Sequence, residues 1–182
     1  MDFIGIQKTL KDLITAERYD HSCRVADTTK HISLSLNLDE QSAFLGGLLH
    51  DCAKDISINH SEFVFSDDQK QLYVEFPAIW HSFVVEKVGS FYFPNVDNDI
   101  FKAAKYHSTG AMDMTTLAKI LFVADYIEPG RSYIKDSSLL SLAKKDLNKA
   151  VFEVASLKLS YLVSKKQKIH HFLFECYDFY SD

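Results

Sequence analysis

The chain has 182 residues, of which 47% are hydrophobic and 25% are charged, and both values are ordinary for one globular domain. A formal net charge of −5 argues against a nucleic-acid groove as the main function, and three widely spaced cysteines argue against a disulfide framework. The sequence has no signal-peptide pattern and no apolar run approaching ~18 residues, so we expect a cytoplasmic protein without a membrane span.

Hydrophobic residues recur with helical spacing along most of the chain, whereas glycine and proline are scarce. We therefore predict an all-α fold in which residues 1–182 form a single helical domain. The predicted helices span 2–17, 20–36, 39–54, 77–93, 99–110 and 115–128, with a short helix within 62–76 and further helices within 136–180, two of them before residue 164.

The second predicted helix carries His21 and Arg24 on one face, because the two residues are three apart. A single histidine at a helix start is more often a surface or capping residue, and a helical arginine is more often a solvated charge. If a metal pair follows elsewhere, His21 becomes a candidate ligand and Arg24 would point at the group that the metal holds.

The third predicted helix contains the segment AFLGGLLHDCAK at 43–54, whose apolar residues indicate that it packs deep in the core. Gly46 and Gly47 each cost about 1 kcal/mol relative to alanine inside a helix, which we expect only where another group approaches the backbone closely. A buried Asp51 beside a buried His50 is costly unless each finds a partner, and a metal ion supplies one for both. The simpler interpretation is a core histidine next to an aspartate at a helix end.

Three later segments each contribute one more candidate. His81 lies on the buried stripe of the helix at 77–93, and His107 lies near the end of the helix at 99–110. A buried histidine usually needs only one hydrogen-bond partner, so neither residue is a strong signal by itself. Asp125 lies on the leucine face of its helix, where a carboxylate is costly unless it binds a cation. A metal is favoured there over a plain buried salt bridge.

The candidates form an ordered set, H…HD…H…H…D, that suits one or two first-row transition ions with open positions for water and substrate. The segments that contain them also resemble a known family. HSCRVA (21–26), GLLHDCAK (47–54), WHS (80–82), YHSTG (106–110) and ADYIEPGR (124–131) are similar to motifs of the HD-domain phosphohydrolase superfamily and, within it, of the YqeK family. The resemblance covers residues 20–131.

This resemblance implies an all-α HD-superfamily bundle with the activity of a symmetrical bis(5'-nucleosyl)-tetraphosphatase, which splits diadenosine tetraphosphate into two ADP. It implies one or two divalent transition ions bound by His21, His50, Asp51 and Asp125. Iron is the expected metal, and manganese, cobalt, nickel and zinc are the alternatives. The resemblance assigns His81 and His107 to a second metal or to the substrate phosphates. The family often has a proline where this chain has His171, so the resemblance does not extend to the tail.

For this activity we expect Asp51, His81 and His107 to be catalytic, with Asp51 bridging two ions if two are present and a metal-activated water as the attacking group. Lys54 has a second interpretation, as a last-turn cation favoured by the helix dipole. The residues expected to bind substrate are Arg24, Lys54, Ser108, Thr109, Tyr126 and Arg131.

Three other functions fit the same ligands. One is a different HD-type nucleotide phosphohydrolase, such as a monophosphatase, and the second is a di-iron oxygenase, which would leave the cationic residues unexplained. The third is a metal-binding protein without catalysis. In each hydrolase case the partner is a dinucleoside polyphosphate or a nucleotide rather than a nucleic acid or a membrane, and a homodimer is compatible with the sequence.

Overall fold

The computed structural model describes residues 2–131 and 138–181, and this part of the chain is helical with no strand. The prediction of an all-α fold is therefore confirmed. The ten helices are α1 (Phe3–Leu13), α2 (Ala16–Ser35), α3 (Glu40–Leu49), α4 (Asp67–Glu75), α5 (Trp80–Tyr92), α6 (Asn98–Ala104), α7 (Thr116–Ile127), α8 (Ser138–Ala143), α9 (Leu147–Ser164) and α10 (His171–Phe179). The start of the region predicted at 136–163 lies outside the described residues, and α8 and α9 are the two helices expected within it.

The core forms where α2, α3, α6 and α7 pack against one another, and α9 covers α7 on the C-terminal side. Leu48, Leu49, Phe101, Leu121 and Phe122 have no exposed surface. Burying such side chains is the main favourable contribution to folding. None of the helices in the described ranges has the length and apolar character needed to cross a membrane.

The third helix ends at Leu49, five residues earlier than the predicted end at Lys54. The residues that follow form tight turns, in which Cys52 N donates to Leu49 O and Lys54 N donates to Asp51 O. Such three-residue hydrogen bonds change the direction of the chain. Asp51 lies within these turns and is 2% exposed, so its side chain is buried in the protein.

Other predicted boundaries are also wrong, since α1 ends at Leu13 rather than at 17 and α2 begins at Ala16 rather than at 20. Helix α5 begins at Trp80 rather than at Pro77, because residues 77–79 form a turn before it. Helix α6 ends at Ala104, so His107 belongs to the turn that follows. That turn ends at Gly110, which has a φ of 65° in the left-handed region that glycine adopts without strain.

The close approach expected at the glycine pair occurs at Gly47. A Cβ atom added there would lie 2.6 Å from Ala26 Cα, so α2 and α3 contact each other backbone to backbone. At Gly46 the nearest atom to an added Cβ is Leu121 Cδ2 at 3.2 Å, the end of a side chain that can move. Gly47 therefore sets the distance between the helix that carries His21 and the segment that ends in His50.

We predict that Gly47→Ala destabilises the fold, because the added methyl group pushes two helix backbones apart. Overpacking of this kind costs about 1–3 kcal/mol, more than the ~1 kcal/mol that alanine gains in a helix. Urea unfolding of the metal-free protein measures the change. Gly46→Ala is the matched control and should change stability by less. Equal effects of both substitutions would contradict the assignment of the close contact to Gly47.

Candidate metal centre

The structure brings all six predicted metal-binding candidates together, although they come from five separate segments. His21 lies in α2, the His50–Asp51 pair in the turn after α3, His81 at the start of α5, His107 in the turn after α6, and Asp125 in α7. Ion-pair distances of 4.0 Å or less connect the whole set. We call these six residues the ligand cluster.

Asp51 divides the ligand cluster into two groups and belongs to both. One group is His21, His50 and Asp51, and the other is Asp51, His81 and His107, with the possible ligand atoms of each group within 4.8 Å of one another. Asp51 Oδ2 lies 3.6 Å from His50 Nε2, whereas Oδ1 lies 3.0 Å from His81 Nε2 and 3.4 Å from His107 Nε2. The two oxygens of one carboxylate thus face opposite groups.

Asp125 closes the first group. Its Oδ1 lies 3.2 Å from His21 Nε2 and 3.9 Å from His50 Nε2. The same oxygen accepts a hydrogen bond of 2.6 Å from Arg131 Nη2. The side chain is 14% exposed rather than fully buried as the leucine face suggested. Asp125 therefore has both the metal-type environment and the salt bridge that the sequence presented as alternatives.

Backbone carbonyl groups fix the orientation of two of the imidazoles. Nδ1 of His50 lies 2.7 Å from Gly47 O, and Nδ1 of His107 lies 2.7 Å from Ala104 O. Since these carbonyls only accept, each Nδ1 donates and each Nε2 is left with a free lone pair. A histidine held in this way is in the tautomer that binds a metal through Nε2.

Three buried atoms of the cluster have no hydrogen-bond partner, namely His21 Nε2, His50 Nε2 and Asp51 Oδ1. Across the described residues only one other buried side-chain atom, Ser22 Oγ, is in the same state. Buried polar atoms without partners are costly. Here the three residues offer ligand atoms within 4.8 Å of one another, but the three unpartnered atoms form no hydrogen bonds among themselves. The residues present therefore fit a bound cation.

The electrostatic environment keeps these groups in the protonation states that metals require. Burial lowers the pKa of His50 and of His81 to about 4, so both imidazoles are neutral near pH 7. Burial alone would raise the pKa of Asp51, but interactions with the imidazoles of His50, His107 and His81 hold it well below its usual value. Neutral imidazoles and an ionised carboxylate are the forms that bind divalent ions.

Glu128 is a site residue that the sequence analysis missed. It is 1% exposed, and it accepts hydrogen bonds from His21 Nδ1 at 3.1 Å, Arg24 Nε at 2.6 Å and Gly130 N at 2.6 Å. Burial would raise the pKa of Glu128, but Arg24 and the other donors lower it. The signal was available, because the carboxylate follows an apolar helix directly and is itself followed by Pro129 and Gly130.

Arg18 was also missed. Its Nη1 donates to Asp51 Oδ2 at 2.9 Å, and its side chain is 33% exposed. The residue lies three positions before His21 and therefore on the same face of α2. The N-cap Thr15, whose hydroxyl accepts from the backbone N–H of Arg18, starts the helix just before this face.

Arg18, Arg24 and Arg131 surround a cavity of about 210 Å³ that opens beside His21, and we call it the arginine cavity. Its remaining wall is formed by Thr15, Glu17, Glu128 and Gly130. The predicted substrate-binding residues Arg24 and Arg131 thus lie at one end of the ligand cluster, and both are held in place by carboxylates.

The other predicted substrate-binding residues lie at the opposite end or beside the cluster. Lys54 Nζ lies 3.2 Å from His81 Nδ1, so this lysine belongs to the site, and it lies five residues past the end of α3 rather than in its last turn. Ser108 Oγ lies 3.0 Å from His107 Nε2, whereas the buried Thr109 donates its hydroxyl hydrogen bond to Gly110 O. Tyr126 is partly buried, and burial raises its pKa.

The comparison with known proteins agrees with this geometry. A family model described as HD domain matches residues 18–130, which is more than half of the chain. The chain belongs to the HD-domain family. A curated relative named symmetrical bis(5'-nucleosyl)-tetraphosphatase, from Halalkalibacterium halodurans, is 30% identical over 88% of this chain and 87% of its own length. A protein of the same name from Staphylococcus aureus is 26% identical over 100% of this chain and 95% of its own length.

A solved HD-domain protein also has the same fold over its whole length. It is a crystal structure from Clostridium acetobutylicum described as a predicted HD superfamily hydrolase involved in NAD metabolism. It has a TM-score of 0.79 and 27% sequence identity, covering 100% of this chain and 97% of that chain. The similarity therefore extends past the HD-domain match into the C-terminal helices.

Lys158, on α9, is a third site residue that the sequence analysis missed, and it lies outside the range of the HD-domain match. Its Nζ donates to His107 O at 3.2 Å and to Ser108 O at 3.0 Å, and it lies 4.4 Å from the ring centroid of Phe122. Burial lowers its pKa to about 8. Lys158 therefore holds the turn that positions His107. The helical pattern of α9 gave no indication of this role.

We predict that Glu128→Gln weakens metal binding, because an amide accepts less strongly from His21 and no longer balances Arg24. Changes to groups that orient a ligand typically cost 10–100-fold in metal affinity. Chelator competition measures the affinity directly. Glu62→Gln, at an exposed carboxylate on a loop, is the control and should leave it unchanged. Unaltered affinity in the Glu128 variant would contradict the orienting role.

We also predict that Lys158→Met loosens the His107 turn while preserving the apolar contact of the side-chain stem with Phe122. The group that contains His107 should bind metal about tenfold more weakly. This is the lower end of the roughly 10–100-fold range that the loss of an orienting contact typically costs. Lys149→Met, on an exposed position of the same helix, is the matched control. Metal titrations of the Lys158→Met and Lys149→Met variants test this prediction. Identical titrations would show that Lys158 does not position His107.

Proposed function

We propose that this chain is a metal-dependent hydrolase that cleaves a dinucleoside tetraphosphate, with diadenosine tetraphosphate as the reference substrate, symmetrically into two nucleoside diphosphates. The observation that carries the proposal is the Asp51 carboxylate, which faces two ligand groups at once beside a cavity lined by three arginines. The curated relatives that cover most of this chain are named for this activity. A polyanionic substrate suits the concentration of cationic side chains.

The donor set of histidines and carboxylates, with no thiolate among them, supports one or two divalent transition ions, and we propose iron. His21, His50, Asp51 and Asp125 would hold the first ion, and Asp51, His81 and His107 would hold the second. When bound, such ions supply Lewis acidity that neutralises phosphate oxygens and makes water a better nucleophile at neutral pH.

The residues of the chain itself would bind and orient the polyphosphate. We assign Arg24 and Arg131 to phosphate oxygens on the side of His21, since guanidinium groups form two-point contacts with phosphate. Lys54 would act on the opposite side, next to His81. Ser108, Thr109 and Tyr126 remain substrate-binding candidates, and Ser108 lies beside His107. Arg18 joins this set because its guanidinium lies in the arginine cavity.

We further propose that residues 1–182 act as one domain, in which the HD core at 20–131 is completed by the C-terminal helices within 136–180. The contacts of Lys158 with the His107 turn and the packing of α9 on α7 support this. A cytoplasmic location is proposed because Cys23, Cys52 and Cys176 are all unpaired, as in a reducing compartment.

Product analysis tests the proposed reaction. We predict that the metal-loaded protein converts diadenosine tetraphosphate into ADP alone, because the relatives are described as symmetrical enzymes. Chromatography after reaction with added iron, manganese, cobalt, nickel or zinc identifies both the products and the preferred ion. Formation of ATP with AMP would contradict symmetrical cleavage. Release of inorganic phosphate from mononucleotides, without ADP from the tetraphosphate, would favour a monophosphatase.

Asp125→Asn tests the ligand assignment. The amide keeps the shape of the side chain but removes the charge facing His21 and His50, so metal content and hydrolysis should both fall sharply. Unfolding of the metal-free variant should change little, because Arg131 keeps Glu128 as a second partner. Asp27→Asn, at an exposed position on α2, is the control. Full metal occupancy in the Asp125 variant would exclude this residue as a ligand.

A further inference from the structure

A second cavity lies at the other end of the ligand cluster from the arginine cavity. It has a volume of about 240 Å³ and is enclosed by the turn before α5, the turn after α6, the end of α9 and the start of α10. We call it the aromatic cavity, and its walls include Phe76, Ile79, Thr109, Leu162, His170 and Leu173. The larger hollows beside α1, beside α6 and where α7 meets the start of α9, of about 490, 560 and 400 Å³, have no lining side chain that forms a hydrogen bond with the cluster.

The aromatic cavity adjoins the second ligand group through two of its lining residues, Ser108 and Ala78. Ser108 lines the cavity, and its Oγ lies 3.0 Å from His107 Nε2. Ala78 also lines the cavity, and its carbonyl accepts from Lys54 Nζ, which contacts His81. The arginine cavity includes His21 of the first group. The two ligand groups therefore lie between two cavities of different character.

The proposed substrate has a matching arrangement, and this step rests on the proposed function. A dinucleoside tetraphosphate has one nucleoside at each end, and symmetrical cleavage breaks the central phosphoanhydride linkage. If that linkage lies at the ligand cluster, the two nucleosides must extend from it in opposite directions. We propose that the aromatic cavity binds the purine base of one of these two nucleosides.

The chemistry of the walls fits a purine base. Phe76 and His170 form an aromatic corner with ring centroids 5.1 Å apart, and the imidazole of His170 is fixed because its Nδ1 accepts from Phe172 N. Bases stack on such rings, and their edges require polar partners. Gln167 and Thr109 provide polar groups in the same cavity.

The size of the aromatic cavity points to part of a larger ligand. Whole small-molecule ligands occupy pockets of ~300–1,000 Å³, and about 240 Å³ suits a base that is attached to something outside. The entrance carries Lys168, whose Nζ lies 4.7 Å from the Phe76 ring centroid and pairs with Glu75. Because this lysine side chain is 60% exposed, it can move aside when a base enters.

Two substitutions test the cavity from opposite directions. Phe76→Ala removes one aromatic wall, and Leu162→Trp fills the space. Each should raise KM for diadenosine tetraphosphate by about tenfold, the effect of losing one base–aromatic contact, with kcat within about twofold and metal content unchanged. Phe174→Ala, at an exposed aromatic residue outside the cavity, is the control and should behave as the unaltered protein.

A binding measurement on the unaltered, zinc-loaded protein decides the proposal independently of turnover. With ADP as the probe, nuclear Overhauser effects are expected from the adenine H2 and H8 protons to ring protons of Phe76, and they should be absent in Phe76→Ala. Unchanged KM in both cavity variants, or adenine contacts that do not involve Phe76, would overturn the base site while leaving symmetrical cleavage intact. Absence of ADP among the products would overturn the proposed function, and the adenine contacts would still decide the cavity.

Discussion

The Asp51 carboxylate is the constraint on which the rest of the site depends. It is 2% exposed, yet one oxygen meets Arg18 and the other meets His81. An ionised carboxylate at this depth needs a cationic or hydrogen-bonding partner on each oxygen, which Arg18 provides for Oδ2 and a bound cation would provide for Oδ1. The early end of α3 and the tight turns after it follow from this requirement, because they direct a side chain from the core helix into the centre of the cluster.

The same requirement explains why the arginines are where they are. Each of the three carboxylates around the first group pairs with a guanidinium group that also lines the arginine cavity, and Glu128 pairs with two of them. The pairs are Arg18 with Asp51, Arg131 with Asp125, and Arg24 with Glu128. Charge balance at the ligands thus positions the cations that would meet phosphate. Losing one carboxylate would disturb both functions, because an arginine would lose one of the groups that position it.

Periodicity allowed the fold class and several buried site candidates to be predicted, whereas their assignment as one ligand set rested on the resemblance to HD-domain motifs. Asp125 was identifiable since an aspartate on a leucine face breaks the pattern, and His81 since it lies on a buried stripe. Glu128 was missed because it lies just past the end of α7, where the helical spacing of hydrophobic residues no longer applies. The only signal was its position between an apolar helix and the Pro129–Gly130 turn. Helix ends were wrong at Lys54 and Pro77 because the hydrophobic pattern continues through turns whose geometry is set by tertiary contacts.

The C-terminal helices could not be connected to the site from the sequence, since their contacts with it are made by residues far away in the chain. Lys158 reaches the His107 turn across 51 positions, and its amino group donates to carbonyls that any sequence would present. His170 meets Phe76 in the same way, through the fold alone. The HD-domain match ends at residue 130, so the segment beyond it provides the support for the second ligand group and one wall of the aromatic cavity. In this protein the HD core therefore supplies the proposed metal ligands, and the C-terminal helices form part of the surroundings of the second ligand group.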